Sequence, residues 1–288
     1  MLMNLLPGLL RKKGKGSPSG RSSMEDFVEG TPDIYATNWQ TEFRNPSEPT
    51  GAVPSYYTPV FDYDGVRNDP AVIHNHDFMK DPRYIAAYAR GIQAHGEHQV
   101  QYWRMHVALW CASQAIQMPG DFVECGVWKG FLSSGIMRYL DWNRCNRNFF
   151  LFDTFCGLDE SLVTPEEVAK GNLAHYRKHY LENFEEVCKN FSEFRNVFLI
   201  KGSVPQSLGR CRRIEQVSYL SLDMNNVTPE IAAIEHFWPK MVSGGLVLLD
   251  DYGYVSYEEQ KKGFDEFTRK QGVQILALPT GQGVFRKP

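Results

Sequence analysis

The chain has 288 residues, 42% of them hydrophobic, enough to bury a full core in one α/β domain with appendages. A formal net charge of −3 supplies no global basic field, so nucleic-acid binding is not expected and small-molecule chemistry is the more natural reading. The six cysteines (Cys111, Cys125, Cys145, Cys156, Cys188, Cys211) lack CxxC spacing, which favours free thiols in a reducing compartment over a disulfide or zinc site.

At the N-terminus, Arg11, Lys12, Lys13 and Lys15 follow the apolar stretch Leu5 to Leu10, the reverse of a secretory signal. No apolar run reaches membrane-spanning length, so the cytoplasm is the expected location. Residues 1–30 carry Gly, Ser, Pro and Lys in a pattern that cannot pack a core and are expected to form a disordered tail. Residues 31–100 start with a stretch rich in Pro, Tyr and Asn and are expected to wrap or lid the main domain, which spans 101–288. Tyr56, Tyr57, Phe61 and Tyr63 in this segment are candidates for lining a ligand pocket or for anchoring the wrap. His74 and His76 have metal-friendly spacing but no matching third ligand.

From Gln101 the periodicity is regular. Met105, Leu109, Ala112 and Ile116 predict a helix that Pro119 and Gly120 end. A short buried strand, Asp121 to Gly126, leads into a helix from Phe131 to Trp142, and Phe149 to Phe152 form a second strand. A third strand is expected at Asn196 to Ile200 and a fourth at Val217 to Leu222. Ile231, Ile234, Trp238 and Met241 then mark a helix closed by Gly244 and Gly245. A fifth strand, Leu246 to Leu249, precedes a helix whose Ser256 and Glu259 suggest a capping box, and two short strands (274–278, 283–286) finish the chain. Strand and helix alternate, so the expected fold class is α/β, a mostly parallel sheet with an antiparallel edge at the C-terminus.

The chemistry gathers at the strand ends. Ligands of an open parallel sheet lie beyond the carboxyl ends of its strands. Here those ends carry Glu124 and Gly126, Asp153, Gly202 with Ser203, Asp223, and Asp250 with Asp251. The first turn fails the GxGxxG pattern because Trp128 stands where the second glycine would be, which favours a cofactor without a pyrophosphate. Asp153 is placed to accept hydrogen bonds from ribose hydroxyls, or else to cap the next helix. Asp223, Asp250 and Asp251 end neighbouring strands. Three carboxylates at close range need a cation, and hard oxygen ligands suit Mg²⁺, the bland alternative being helix caps.

The segments DFVECGVWKG, FFLFDTFCGLDE, LSLDMNNVTPEIAAIEHFWPKMVSGGLVLLDDYG and LPTGQGVFRKP resemble, in order and spacing, the macrocin O-methyltransferase family of the TylF/MycF type. The resemblance covers about 101–288. It implies a Rossmann-like class I methyltransferase fold with a seven-stranded sheet and helices on both faces, S-adenosyl-L-methionine as cofactor, a divalent metal such as Mg²⁺, and methylation of a hydroxyl on a sugar or related natural product. It also allows a homodimer. Carried over by residue, it implies Glu124, Gly126, Asp153 and Ser203 at the cofactor and Asp223, Asp250 and Asp251 as metal ligands, with Asp223 the candidate general base unless it only ligates. The chain departs from the family pattern at Asn225, where many relatives carry a second acid, and at Phe131, where many have glycine. The competing readings are a cofactor-binding scaffold without turnover and a nicotinamide-dependent oxidoreductase. The intact acids count against the first, and the missing GxGxxG against the second.

Overall fold

The computed structural model describes residues 77–288 apart from 98, 100 and 212. The candidate aromatics Tyr56, Tyr57, Phe61 and Tyr63, and the pair His74 and His76, lie outside the described residues, as do the first 76 residues of the tail and wrapping segment.

Seven strands form one sheet: β1 (Asp121–Cys125), β2 (Phe149–Asp153), β3 (Val197–Lys201), β4 (Val217–Leu222), β5 (Met241–Leu249), β6 (Leu276–Ala277) and β7 (Gly283–Arg286), in the order β3-β2-β1-β4-β5-β7-β6. The first five are parallel, and β7 runs antiparallel to both β5 and β6. Strand residues alternate between two cores, as the period of two requires. Phe122, Phe149, Leu151, Tyr219, Leu246 and Leu248 face one cluster, and Val123, Phe150, Phe152, Leu220, Leu222, Val247 and Leu249 the other.

Helices α1 (Pro82–His95), α2 (Tyr102–Ala115) and α3 (Phe131–Tyr139) cover the first face. Asp81 caps α1, accepting from Arg83 N at 2.8 Å, and Pro82 occupies the first turn. Gly91 lets α1 press against α3, because a Cβ there would lie 2.8 Å from Phe131 O. Three helices follow β2: α4 (Pro165–Ala169), α5 (Asn172–His179) and α6 (Phe184–Phe191). Helices α7 (Val227–Phe237) and α8 (Glu258–Gln271) pack on the second face through Ala233, Ile234, Phe237, Phe264 and Phe267.

Three local expectations are corrected. The helix after β1 stops at Tyr139. Asp141 turns left-handed (φ 51°), and a 3-10 turn at Trp142–Arg144 returns Trp142 to the core. Met241 belongs to β5, not to the preceding helix, and Gly244 and Gly245 lie within the strand. The register jumps there, with Val217 opposite Met241 and Tyr219 opposite Leu246, the mark of a bulge. Ser256 forms no capping box, since Tyr257 occupies the cap of α8 and Ser256 itself adopts φ 80°. Among the described residues no helix is long and apolar enough to cross a membrane.

Candidate active site

β1 ends in a turn that only glycine can make. Gly126 has φ 89°, and a Cβ there would sit 1.8 Å from the backbone oxygen of Asp223. The glycine therefore admits the end of β4 as a close neighbour, and Gly126 N donates to Phe152 O at 2.9 Å. Asp153 braces the same turn. Its Oδ2 accepts from Val127 N (2.6 Å) and Trp128 N (2.8 Å), while Oδ1 accepts from Phe155 N (2.7 Å) and Thr154 Oγ1 (3.3 Å). Burial raises the Asp153 pKa, against the pull of these amides.

The turn opens on a cavity of ≈ 1070 Å³, counting the space at its mouth, lined by Glu124, Gly126, Asp153, Asp159, Ser203, Asp223 and Asp250 among others. Glu124 is 3% exposed, and its Oε2 has no hydrogen-bond partner among the described residues. Burial, with Asp250 and Asp153 nearby, pushes its pKa well above the carboxylate range. A buried, unsatisfied carboxyl on a cavity wall fits a ligand that brings a cationic or donor group. Asp159, also on the cavity lining, accepts from Ser161 N (3.1 Å) and Ser161 Oγ (2.6 Å). The Ser161 hydroxyl, and after it that of Ser203, holds the Asp159 pKa below the usual value.

Asp223, Asp250 and Asp251 converge: each offers a carboxylate oxygen, and these oxygens lie within 4.8 Å of one another. β4 and β5 pair in parallel, which sets the ends of the two strands side by side. Burial first, then Asp250 and Asp251, raise the Asp223 pKa well above normal, with Arg104 opposing. Asp251 is pushed up to about 6, by burial against the pull of Arg104.

Arg104, on α2 and 4% exposed, is bonded to Asp250 Oδ2 and donates to Asp251 Oδ1 (3.3 Å) and Asp250 O (3.0 Å). Gln282 Nε2 donates to Asp250 Oδ1 at 3.0 Å. Among the described residues, three carboxylates thus face one guanidinium, a balance of two negative charges when all are ionised. Hard oxygens at this separation and this residual charge fit a divalent cation such as Mg²⁺.

Asn225 holds the third member of the trio. Its Nδ2 donates to Asp223 Oδ1 (3.2 Å), and its Oδ1 accepts from Tyr176 OH (2.9 Å) and Tyr257 OH (3.1 Å). A second cavity opens here, walled by Tyr176, Tyr180, Tyr254 and Tyr257. Asp223, Asn225, Asp250 and Tyr180 line both cavities, so the acids stand at the junction of the larger cavity and an aromatic-walled one.

The seven residues assigned from the sequence to cofactor and metal lie on one contiguous site, six on the first cavity and Asp251 on the second. Arg104, Gln282 and the tyrosine wall were not anticipated. Arg104 left one trace in the sequence: Tyr102–Ala115 holds no acidic residue, and Arg104 adjoins Met105 on its buried side.

A seven-stranded sheet of this order, with acids at the carboxyl ends of β1, β2, β4 and β5, is a Rossmann-like methyltransferase fold. The family model described as Macrocin-O-methyltransferase (TylF) matches residues 95–278, more than half of the chain. The chain belongs to that family and is an S-adenosylmethionine-dependent O-methyltransferase. It is 26% identical over 201 residues, covering 65% of this chain and 75% of the relative, to demethyldecarbamoylnovobiocin O-methyltransferase of Streptomyces niveus. It is 24% identical over 191 residues, 61% and 72% of the two chains, to mycinamicin III 3''-O-methyltransferase of Micromonospora griseorubida. The O-methyltransferase NovP superposes with a TM-score of 0.58 at 22% identity, over 66% of this chain and 82% of its own. The calicheamicin methyltransferase CalS11 does so at 0.52 and 14% identity, over 96% and 99%.

Proposed function

We propose that this enzyme methylates a hydroxyl on a sugar moiety or related natural product, with S-adenosylmethionine in the larger cavity and Mg²⁺ on Asp223, Asp250 and Asp251. The carrying observation is the placement of those acids where the two cavities meet. The names of the relatives, one a mycinamicin III 3''-O-methyltransferase, support an acceptor of this kind. Tyrosine faces with hydroxyls suit a ring that is apolar on its faces and polar at its edge.

When bound, S-adenosylmethionine supplies an electrophilic methyl group and Mg²⁺ a Lewis acid that lowers the pKa of the acceptor hydroxyl. The chain supplies position, charge and a proton acceptor. Glu124 meets the cationic amino-acid end of the cofactor with its unsatisfied Oε2. Gly126 keeps the turn close to β4, and Ser203 borders the nucleoside end. Asp153 would stand beside the ribose, and its oxygens, taken up by the Val127 and Trp128 amides and by Phe155 N and Thr154 Oγ1, fix the turns that border the cofactor. Asp223, held at Oδ1 by Asn225, accepts the hydroxyl proton at Oδ2. The adjoining walls of the two cavities would set donor and acceptor beside each other, and such positioning lowers the barrier further.

The test combines calorimetric titration of S-adenosylhomocysteine, with and without Mg²⁺, with turnover assays on sugar acceptors. Asp223→Asn is expected to bind S-adenosylhomocysteine normally while turnover falls at least about 10²-fold. Asp250→Ala is expected to lose metal binding. Failure of the wild-type protein to bind S-adenosylhomocysteine under either condition overturns the reading.

A further inference from the structure

Arg104 is the one guanidinium buried against the trio among the described residues, and its environment is unusual for a residue this costly to bury. It sits on α2, a helix without acidic residues, and pairs with acids 146 and 147 positions away. A buried cation with no partner would be strongly unfavourable, so Arg104 and the acids must be considered together. The guanidinium spans the two adjacent carboxylates, with Nη1 on Asp250 Oδ2 and Nη2 on Asp251 Oδ1 and Asp250 O. Nε points to Thr280 O at 3.4 Å. With Gln282 on Asp250 Oδ1, both oxygens of Asp250 already accept hydrogen bonds.

We infer that Arg104 is a built-in counter-ion of the acid trio that competes with the divalent cation and so sets how tightly metal is held. The inference rests on the metal-assisted reading above. A cation that bridges Asp223, Asp250 and Asp251 shares two of its ligands with a like charge in contact with them, and like charges at that range repel in a buried setting. In the metal-free protein the same guanidinium allows three acids to be buried together. The Tyr254 ring, 5.5 Å from the guanidinium carbon, offers a face on which Arg104 can rest as its grip on Asp251 loosens. Metal entry and the Arg104 ion pairs are thus linked equilibria: strengthening one weakens the other.

The experiment measures Mn²⁺ binding by electron paramagnetic resonance on EDTA-treated wild type, Arg104→Gln and Arg104→Lys, together with melting temperatures. Arg104→Gln is expected to melt lower without metal, to recover with Mn²⁺, and to bind Mn²⁺ about tenfold more tightly or better. Arg104→Lys, which keeps the charge but not the fork, is expected to bind Mn²⁺ close to wild type. Equal or weaker Mn²⁺ binding by Arg104→Gln, with wild type still binding, overturns the competition while leaving the metal reading intact. Absence of Mn²⁺ binding in wild type and variants alike fails both. Should Arg104→Gln not fold, phenylglyoxal labelling of Arg104 in wild type, read by mass spectrometry, decides the matter. Labelling that rises on Mn²⁺ addition supports displacement, and labelling that stays level or falls overturns it.

Discussion

Glu230 lies beneath the Asp223 loop, and its Oε1 accepts from Met224 N (2.9 Å) and Gln260 Nε2 (2.7 Å). Burial, and next the charge of Asp251, lift its pKa to about 8, while these two donors oppose the shift. An unfolded glutamate titrates near about 4.3, so unfolding releases a proton between that pH and about 8. The sign follows: the contribution of Glu230 to stability is fully present below the unfolded pKa and is lost as pH rises through the folded one. Glu230→Gln keeps an acceptor for Met224 N and removes the titration. Relative to wild type it should therefore gain stability from pH 5 to pH 9, by at most about 5 kcal/mol. Urea unfolding of both proteins in EDTA at several pH values measures this, and a difference that stays flat with pH rejects it. A second residue is limited by space, not charge. Gly126→Ala would drive a Cβ into the Asp223 carbonyl, so loss of S-adenosylhomocysteine binding is expected together with a destabilisation of about 2 kcal/mol or more.

Helices α4 and α5 form a strap after β2, and the Glu167 carboxylate is one of its ties. Glu167 Oε2 accepts from Thr164 N (2.9 Å) and Thr164 Oγ1 (3.1 Å), closing the capping box of α4, while Oε1 accepts from Val227 N (2.8 Å), the first residue of α7. One side chain thus meets two helix N-termini. Glu167→Ala should cost about 1–2 kcal/mol in thermal or urea unfolding, and a variant as stable as wild type would mean the strap is held elsewhere. This strap also marks where sequence reasoning stops. Strands β1, β2, β4 and β5 were legible because buried apolar runs end abruptly in acids, a local signal. Helices α4, α5 and α6 span only five to eight residues, too short for periodicity to register or for helix formation without tertiary support. Their support comes from Lys170 with Glu258 and Glu259, and from Tyr176 with Asn225. At α8 the capping box legible in the sequence does not form, because Tyr257 takes the cap position and the Ser256 amide donates to Glu258 Oε1 at 3.1 Å. Arg104 was hidden because its partners lie at the far end of the chain.

Across the whole molecule, the strand order places the crevice. From β1 the chain moves outward to β2 and β3, then returns to lay β4 on the other side of β1, so the order reverses between β1 and β4. Glu124 and Gly126 stand on one side of that switch point and Asp223 on the other, with β5 and its antiparallel partner β7 bringing Asp250 and Gln282 alongside. Because the ends of five strands share the cavities, a ligand bound there stabilises the sheet as a unit. S-adenosylhomocysteine at a hundredfold over its Kd should add about 2.7 kcal/mol to the unfolding free energy. For a domain of this size that corresponds to a melting-temperature rise of about 5–10 °C. Glu124 lets this general effect be assigned to a particular contact. Its carboxyl is buried, unsatisfied at Oε2 and held toward its neutral form, so Glu124→Gln replaces a costly group by an uncharged one of the same shape. The ligand-free variant should melt at or above the wild-type temperature, yet show a smaller rise with S-adenosylhomocysteine, whose ammonium loses its anionic partner. A variant that melts well below wild type would make Glu124 a structural residue, and a ligand-induced rise as large as in wild type would remove it from the cofactor site.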